Sequence, residues 1–215
     1  MNTKQSSRRP VRILPTLIIA ALAISAGIWA ARALLQSTTT VDELAMTRFP
    51  VARPLQPFLL VDHQGNPFDN KSLQGYWSFL FFGYTQCPDV CPTTLSVLNS
   101  VAQKTGDITE PTRFTFISVD PQRDTPEKLA SFVTYFNRQF IGVTGSSEQL
   151  DNLTRQLGIV HMQVANDSDP ENYLIDHTAA IFLVDPAGNY HAIFTPPLSA
   201  DSIASDFHKI VQEYR

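Results

Sequence analysis

Apolar positions fall along this chain in three patterns, each predicting a different kind of element. From Leu14 to Ala31 the run LPTLIIAALAISAGIWAA is uncharged and largely apolar. As a helix rising 1.5 Å per residue it is roughly 27 Å long, near the hydrocarbon thickness of a bilayer. From Leu34 to Pro57 the chain turns polar and proline-bearing with no sustained period, which predicts a tether. From Phe58 onward, short apolar runs alternate with segments of helical period, the signature of an α/β domain.

Within that domain, FLLVDHQGNPF reads as two short extended pieces around a Gly65-Asn66 turn. YWSFLFFGY, Tyr76 to Tyr84, is a continuous apolar and aromatic run, predicting a strand buried on both faces. A helix should start at Pro92, with Leu95, Leu98 and Ala102 on one face. Arg113 to Asp120 predicts a second buried strand, and the next helix opens with Thr125 as cap, Pro126 at its first position and Leu129, Phe132, Val133 and Phe136 inward. A strand at 140–144 leads to a helix capped by Ser146 or Ser147, with Leu150, Leu153 and Leu157 facing the core and Gly158 at its end. A strand near 160–164, a polar loop over 165–172, strands AAIFLVD and YHAIF, and a helix with Ile203, Phe207, Ile210 and Val211 on one stripe complete the chain. This order predicts a thioredoxin-like fold preceded by an N-terminal transmembrane helix.

Charge gives the N-terminus its direction. Lys4, Arg8, Arg9 and Arg12 precede the apolar run and Arg32 follows it, so the basic flank stays cytoplasmic and the remainder crosses the membrane. The competing reading is a cleaved signal peptide, with AARA at 30–33 as a loose small-x-small site, although cleavable cores are usually shorter. The expected layout is a cytoplasmic N-terminus (1–12), a transmembrane anchor (13–33), a tether (34–57) and a thioredoxin-like domain (58–215). The protein is then single-pass in the inner membrane, with its domain on the periplasmic side. A net charge of −4 gives no reason to expect nucleic-acid binding.

Export leaves the redox state of the two cysteines open, because disulfides persist in that compartment. Cys87 and Cys91 sit in GYTQCPDVCPTTL, just past the buried strand. Pro92 disfavours helical geometry at Cys91, so the pair should bridge a turn and a helix entrance, with Cys91 at or next to the N-cap. Unpaired amides and the helix dipole there favour a thiolate, which suits both disulfide exchange and a soft metal. An inert clasp would close only a short loop and stabilise little. Two sulfurs cannot complete a structural zinc site, whereas Cu(I) accepts two or three soft ligands. Of the histidines, His63, His161, His191 and His208 read as structural or solvent-facing rather than as ligands. His177 lies just before a buried strand, on a loop at the sheet end that this fold can bring near the cysteines. Met162 reads as packing.

GYTQCPDVCPTTL, SVDPQRDTP and YLIDHTAAIFLVDPAGN, in that order and spacing, resemble the Sco/SenC proteins from about Phe58 to the C-terminus. The resemblance implies a membrane-anchored, thioredoxin-like metallochaperone that binds copper, as Cu(I) or Cu(II), and assists assembly of the CuA centre of cytochrome c oxidase. It implies Cys87, Cys91 and His177 as copper ligands, Cys87 and Cys91 as a redox pair that is a disulfide when oxidised, and the CuA-bearing oxidase subunit, other copper chaperones or thiol reductants as partners. Asp176, Asp120, Arg123 and Asp124 match the family pattern without an assigned role. Gln86 stands where many members have histidine, and Thr178 where serine is common.

The main alternative is a thiol-disulfide oxidoreductase that reduces the oxidase subunit or other exported proteins. Against it, such enzymes usually carry a shorter cysteine spacing and a proline where Asp176-His177-Thr178 stands here. A peroxiredoxin-like peroxidase fails on position, because the threonine and proline it needs before its cysteine are Pro88 and Tyr84 relative to Cys91. A copper or redox sensor would begin from the same site.

Overall fold

The computed structural model describes residues 13–36, 46–164 and 173–214. The basic N-terminus and the polar loop expected at 165–172 lie outside the described residues. The chain forms two compact units, Met1–Glu43 and Leu44–Arg215. The first holds α1 (Ile13–Gln36), on which Leu17, Ile19, Leu22, Ile24, Ile28 and Trp29 are all exposed. Among the described residues no helix is long and apolar enough to cross a membrane. Those on α1 whose side chains are described are 17, 19 and 21–31.

The second unit runs β1 (Met46–Pro54), β2 (Leu59–Asp62), β3 (Pro67–Asp69), α2 (Asn70–Leu73), β4 (Trp77–Gly83), α3 (Val90–Lys104), β5 (Thr112–Ser118), α4 (Pro126–Phe136), β6 (Ile141–Thr144), α5 (Ser147–Leu157), β7 (His161–Val164), β8 (Leu174–His177), β9 (Ile181–Val184), β10 (Asn189–Phe194) and α6 (Ala200–Tyr214). One mixed sheet has the order β1-β10-β9-β4-β5-β6-β2-β3, and β7 and β8 form a sheet of their own. β4, β5 and β6 are parallel, while β9 lies antiparallel against β4.

Every residue of β4 is buried. Successive side chains point to opposite faces of a strand. Trp77, Phe79 and Phe81 therefore pack with Leu95 and Leu98 of α3, Leu129 and Val133 of α4 and Phe207 and Ile210 of α6. Leu80 and Phe82 meet Leu73, the α5 residues Leu150, Leu153 and Leu157, and Ile175 of β8. Both faces of the sheet are covered, which is why the strand reads as a continuous apolar run. Thr125 and Ser146 cap α4 and α5 as expected, and Gly158 ends α5 in the left-handed region at φ 70°.

Three expectations change. The tether over 34–57 is interrupted by β1, which pairs antiparallel with β10. Of β1 only Met46 is buried, so this edge strand rests on backbone pairing and displays no hydrophobic period. Its prolines are tolerated at an edge. The helix expected at Pro92 starts two residues earlier, with Asp89 as N-cap and Cys91 inside the first turn. A proline in that turn sacrifices only an amide that would be unpaired anyway. His177, expected on a loop, instead ends β8 and pairs with His161 of β7.

Candidate metal centre

The site forms at the carboxyl end of β4, where open α/β sheets commonly place ligands. Leaving β4 at Gly83, the chain turns through 84–89 and enters α3, so Cys87 lies in the turn and Cys91 in the first helical turn. Cys91 is buried and Cys87 half-buried, both as free thiols. The Cys91 backbone N–H points at the Cys87 sulfur, 3.4 Å away. Gly83 permits this close approach: a Cβ there would stand 2.4 Å from Cys91 Sγ and 2.9 Å from a Phe116 ring carbon.

From β8, the His177 imidazole reaches the same point. Its Nε2 lies 3.4 Å from Cys91 Sγ. The rings of Tyr84 and Phe81 meet it edge-on, at 6.0 and 6.1 Å between centroids. Among the described residues its buried Nδ1 has no hydrogen-bond partner. One donor atom from each of Cys87, Cys91 and His177 lies within 4.8 Å of the others. An open pocket of about 200 Å³, bounded by Tyr84, Pro88, Val90 and Leu174, gives access to the half-buried Cys87 and His177.

The two thiols are electrostatically unequal. A hydrogen bond from Cys91 holds the Cys87 thiol far below its usual range, against the opposing cost of burial and with further help from His177. Cys91 is pushed up by sharing that hydrogen bond and by its own burial. Two unequal thiols and one imidazole suit a soft ion of low coordination number.

Residues matched only by motif acquire contacts. Asp124 accepts hydrogen bonds from Thr85 N–H (2.8 Å), Thr85 Oγ1 (2.6 Å) and Ser118 Oγ (2.6 Å), tying the cysteine turn to β5. Asp120 accepts from Arg123 Nε at 2.5 Å and from the Tyr173 hydroxyl at 2.7 Å. Gln86 accepts from Arg123 Nη1 at 3.1 Å. The Thr178 hydroxyl accepts from the Val160 N–H at 3.1 Å. Asp176, next to His177, is exposed. Tyr173 opens the third motif but drew no role from the sequence, because a tyrosine beside a polar loop carries no signal of its own.

The other histidines make contacts of their own, His161 among them although it pairs with His177 across β7 and β8. His63 Nδ1 accepts from Gly142 N–H at 2.8 Å, His161 lies 3.2 Å from Asp151, His191 is buried 3.7 Å from Asp185, and His208 is 3.5 Å from Asp107. Met162 is exposed.

A thioredoxin-like domain with two thiols at a helix entrance and an imidazole brought in from a separate hairpin defines a class suited to soft-metal and thiol chemistry. The chain belongs to the SCO1/SenC family, whose pattern matches residues 50–212. It is 37% identical over 155 residues to a SCO2-like protein of Rickettsia prowazekii, covering 70% of this chain and 74% of that protein. Among solved structures it is similar to the copper-bound ScoI of Arabidopsis thaliana, with TM-score 0.70, 31% identity and coverage of 74% of this chain and 98% of the other. The copper-bound ScoI of Bradyrhizobium japonicum gives TM-score 0.66 and 33% identity over 73% and 98% of the two chains.

Proposed function

We propose that this chain is a membrane-anchored copper metallochaperone that holds one copper ion through Cys87, Cys91 and His177 and passes it to the CuA-bearing subunit of cytochrome c oxidase. The observation that carries this reading is the convergence of two sulfurs and one imidazole within 4.8 Å in a chain of the SCO1/SenC family. Copper in two solved relatives supports the choice of ion. Thiol softness favours Cu(I), while the imidazole also suits Cu(II). Few ligands and an open approach let an ion leave by ligand exchange with a partner's cysteines. Oxidation of Cys87 and Cys91 to a disulfide removes both thiolates and ends binding.

For the N-terminus the proposal is an anchor at 13–33 with residues 1–12 cytoplasmic, a tether from 34 to the start of β1 at Met46, and a copper-binding domain on the periplasmic side of the inner membrane. The basic flank and the exposed apolar side chains of α1 support it. Titration of the reduced full chain in detergent, without oxygen, should show one copper bound. Cys87→Ser, Cys91→Ser and His177→Ala should each weaken it severely, and full affinity in the His177 variant would overturn the three-ligand reading. Loss of oxidase copper in a deletion strain, restored by the wild-type chain alone, tests delivery.

The half-exposed Cys87, with its lowered thiol, also favours a second reading as a thiol reductant. Its sulfur would attack a partner disulfide, releasing one partner thiolate. Cys91 would then attack the mixed disulfide, releasing the second thiolate and closing Cys87–Cys91, so the two electrons go to the partner. Fast reduction of a disulfide protein without copper would raise this reading above delivery.

A further inference from the structure

Among the described residues β8 ladders with β7 alone, in a sheet apart from the main one, while the Tyr84 side chain hydrogen-bonds the Ile175 backbone. The ladder that fixes β4, and through it the cysteine turn, therefore does not fix His177. Side-chain contacts, the Tyr84 bond among them, must hold β8 at the distance the site requires.

A largely buried cluster spans that gap. Asp120, 2% exposed, follows β5, and its two carboxylate oxygens are divided between Arg123 Nε and the Tyr173 hydroxyl. Arg123 Nη1 donates to the Tyr173 carbonyl at 2.9 Å and to Gln86 Oε1 at 3.1 Å. Its guanidinium lies 3.5 Å from the centroid of the Tyr173 ring and 5.7 Å from that of Tyr84. Tyr84 and Gln86 belong to the turn that carries Cys87, whereas Tyr173 immediately precedes β8, whose last residue is His177. Tyr173, Ile175 and His177 alternate onto one face of β8, and the first two are buried in the core cluster that contains Tyr84. One cation thus grips both ligand-bearing segments, while the main sheet anchors it through Asp120.

We propose that Asp120, Arg123 and Tyr173 are positioning residues that set the reach of His177 toward Cys87 and Cys91. This rests on the reading of those three as metal ligands. An arginine suits the task better than a lysine, because its planar fork can hold a carboxylate and a carbonyl in fixed directions while its face stacks on an aromatic ring. Groups that orient metal ligands from outside typically change affinity by roughly 10–100-fold when removed.

The test is a double-mutant cycle on the reduced full chain in detergent, titrated with Cu(I) without oxygen, with thermal melting of every variant. Tyr173→Phe deletes only the hydroxyl, and Arg123→Lys keeps the charge but loses the fork. Each should weaken copper about tenfold or more in the parent protein and cause no further loss in a His177→Ala background. In the metal-free Tyr173→Phe protein the imidazole NMR signals of His177 should broaden or shift, a response that a general loss of stability would not localise. Unchanged affinity in the parent background, or an equal further loss without His177, overturns the positioning role while leaving the ligand set intact. Full copper affinity in His177→Ala alone overturns the ligand reading, and the positioning role with it.

Discussion

Single residues decide how closely the two thiols can sit against the sheet. Gly83 has no Cβ, and Cys91 Sγ occupies the space one would need. Gly83→Ala should therefore displace the sulfur or the Phe116 ring, costing about 1–3 kcal/mol by overpacking and weakening copper binding. Denaturant unfolding and copper titration of the variant check both, and unaltered copper affinity would show that the turn yields freely. Asp124 holds the turn from the other side through Thr85 and Ser118. In Asp124→Ala the buried Ser118 hydroxyl and the Thr85 amide lose their acceptor, a loss of about 1–3 kcal/mol. Urea midpoints measure it, together with an expected rise in the backbone exchange rate around Thr85.

At the scale of elements, the devices that start and stop helices were legible wherever they are local. Thr125 accepts from Lys128 N–H and Pro126 follows it, as the TPEK stretch announces. Thr125→Ala should cost about 1 kcal/mol and leave copper affinity untouched, since α4 contributes no donor to the site. A fall in copper affinity larger than the fall in stability would contradict that separation. The start of α3 was misread because the restriction before proline is a preference that packing can override. Cys91, Leu95, Leu98 and Val101 all enter the core, and that burial outweighs the local bias at Pro92. β1 and β8 were invisible for another reason: both are short or exposed strands whose partners, β10 and β7, lie far along the chain or across a loop.

For the molecule as a whole, acid sensitivity should have an identifiable source in Asp185, which is buried at the end of β9. Burial alone would raise its carboxyl, but contacts with His191 and Asn189 outweigh this and bring it below its ordinary 3.8. The folded value lies under the unfolded one, so the stabilisation is complete above 3.8 and disappears as pH falls through the folded value. Asp185→Asn should accordingly lower stability at neutral pH and flatten the loss below about pH 4. Melting temperatures between pH 7 and pH 2 check the sign, and parallel curves for parent and variant would exclude this source. Removal of residues 1–36 should release the protein from the membrane fraction, and retention there would argue against α1 as the anchor.

The sequence by itself determined the α/β alternation, the doubly buried β4, the capped helices and the cysteine pair at a helix entrance. Each of these depends on residues close together in the chain, where periodicity and capping act. His177 could be nominated as the distant partner from its motif and its place before a buried strand. Only the tertiary structure decided that its ring meets Cys91, that β8 stands apart from the main sheet, and that Asp120, Arg123 and Tyr173 span the gap. The contacts that decide them, His177 with Cys91 across 86 residues and Tyr173 with Asp120 across 53, join distant segments, and no local pattern in a single chain encodes such distances.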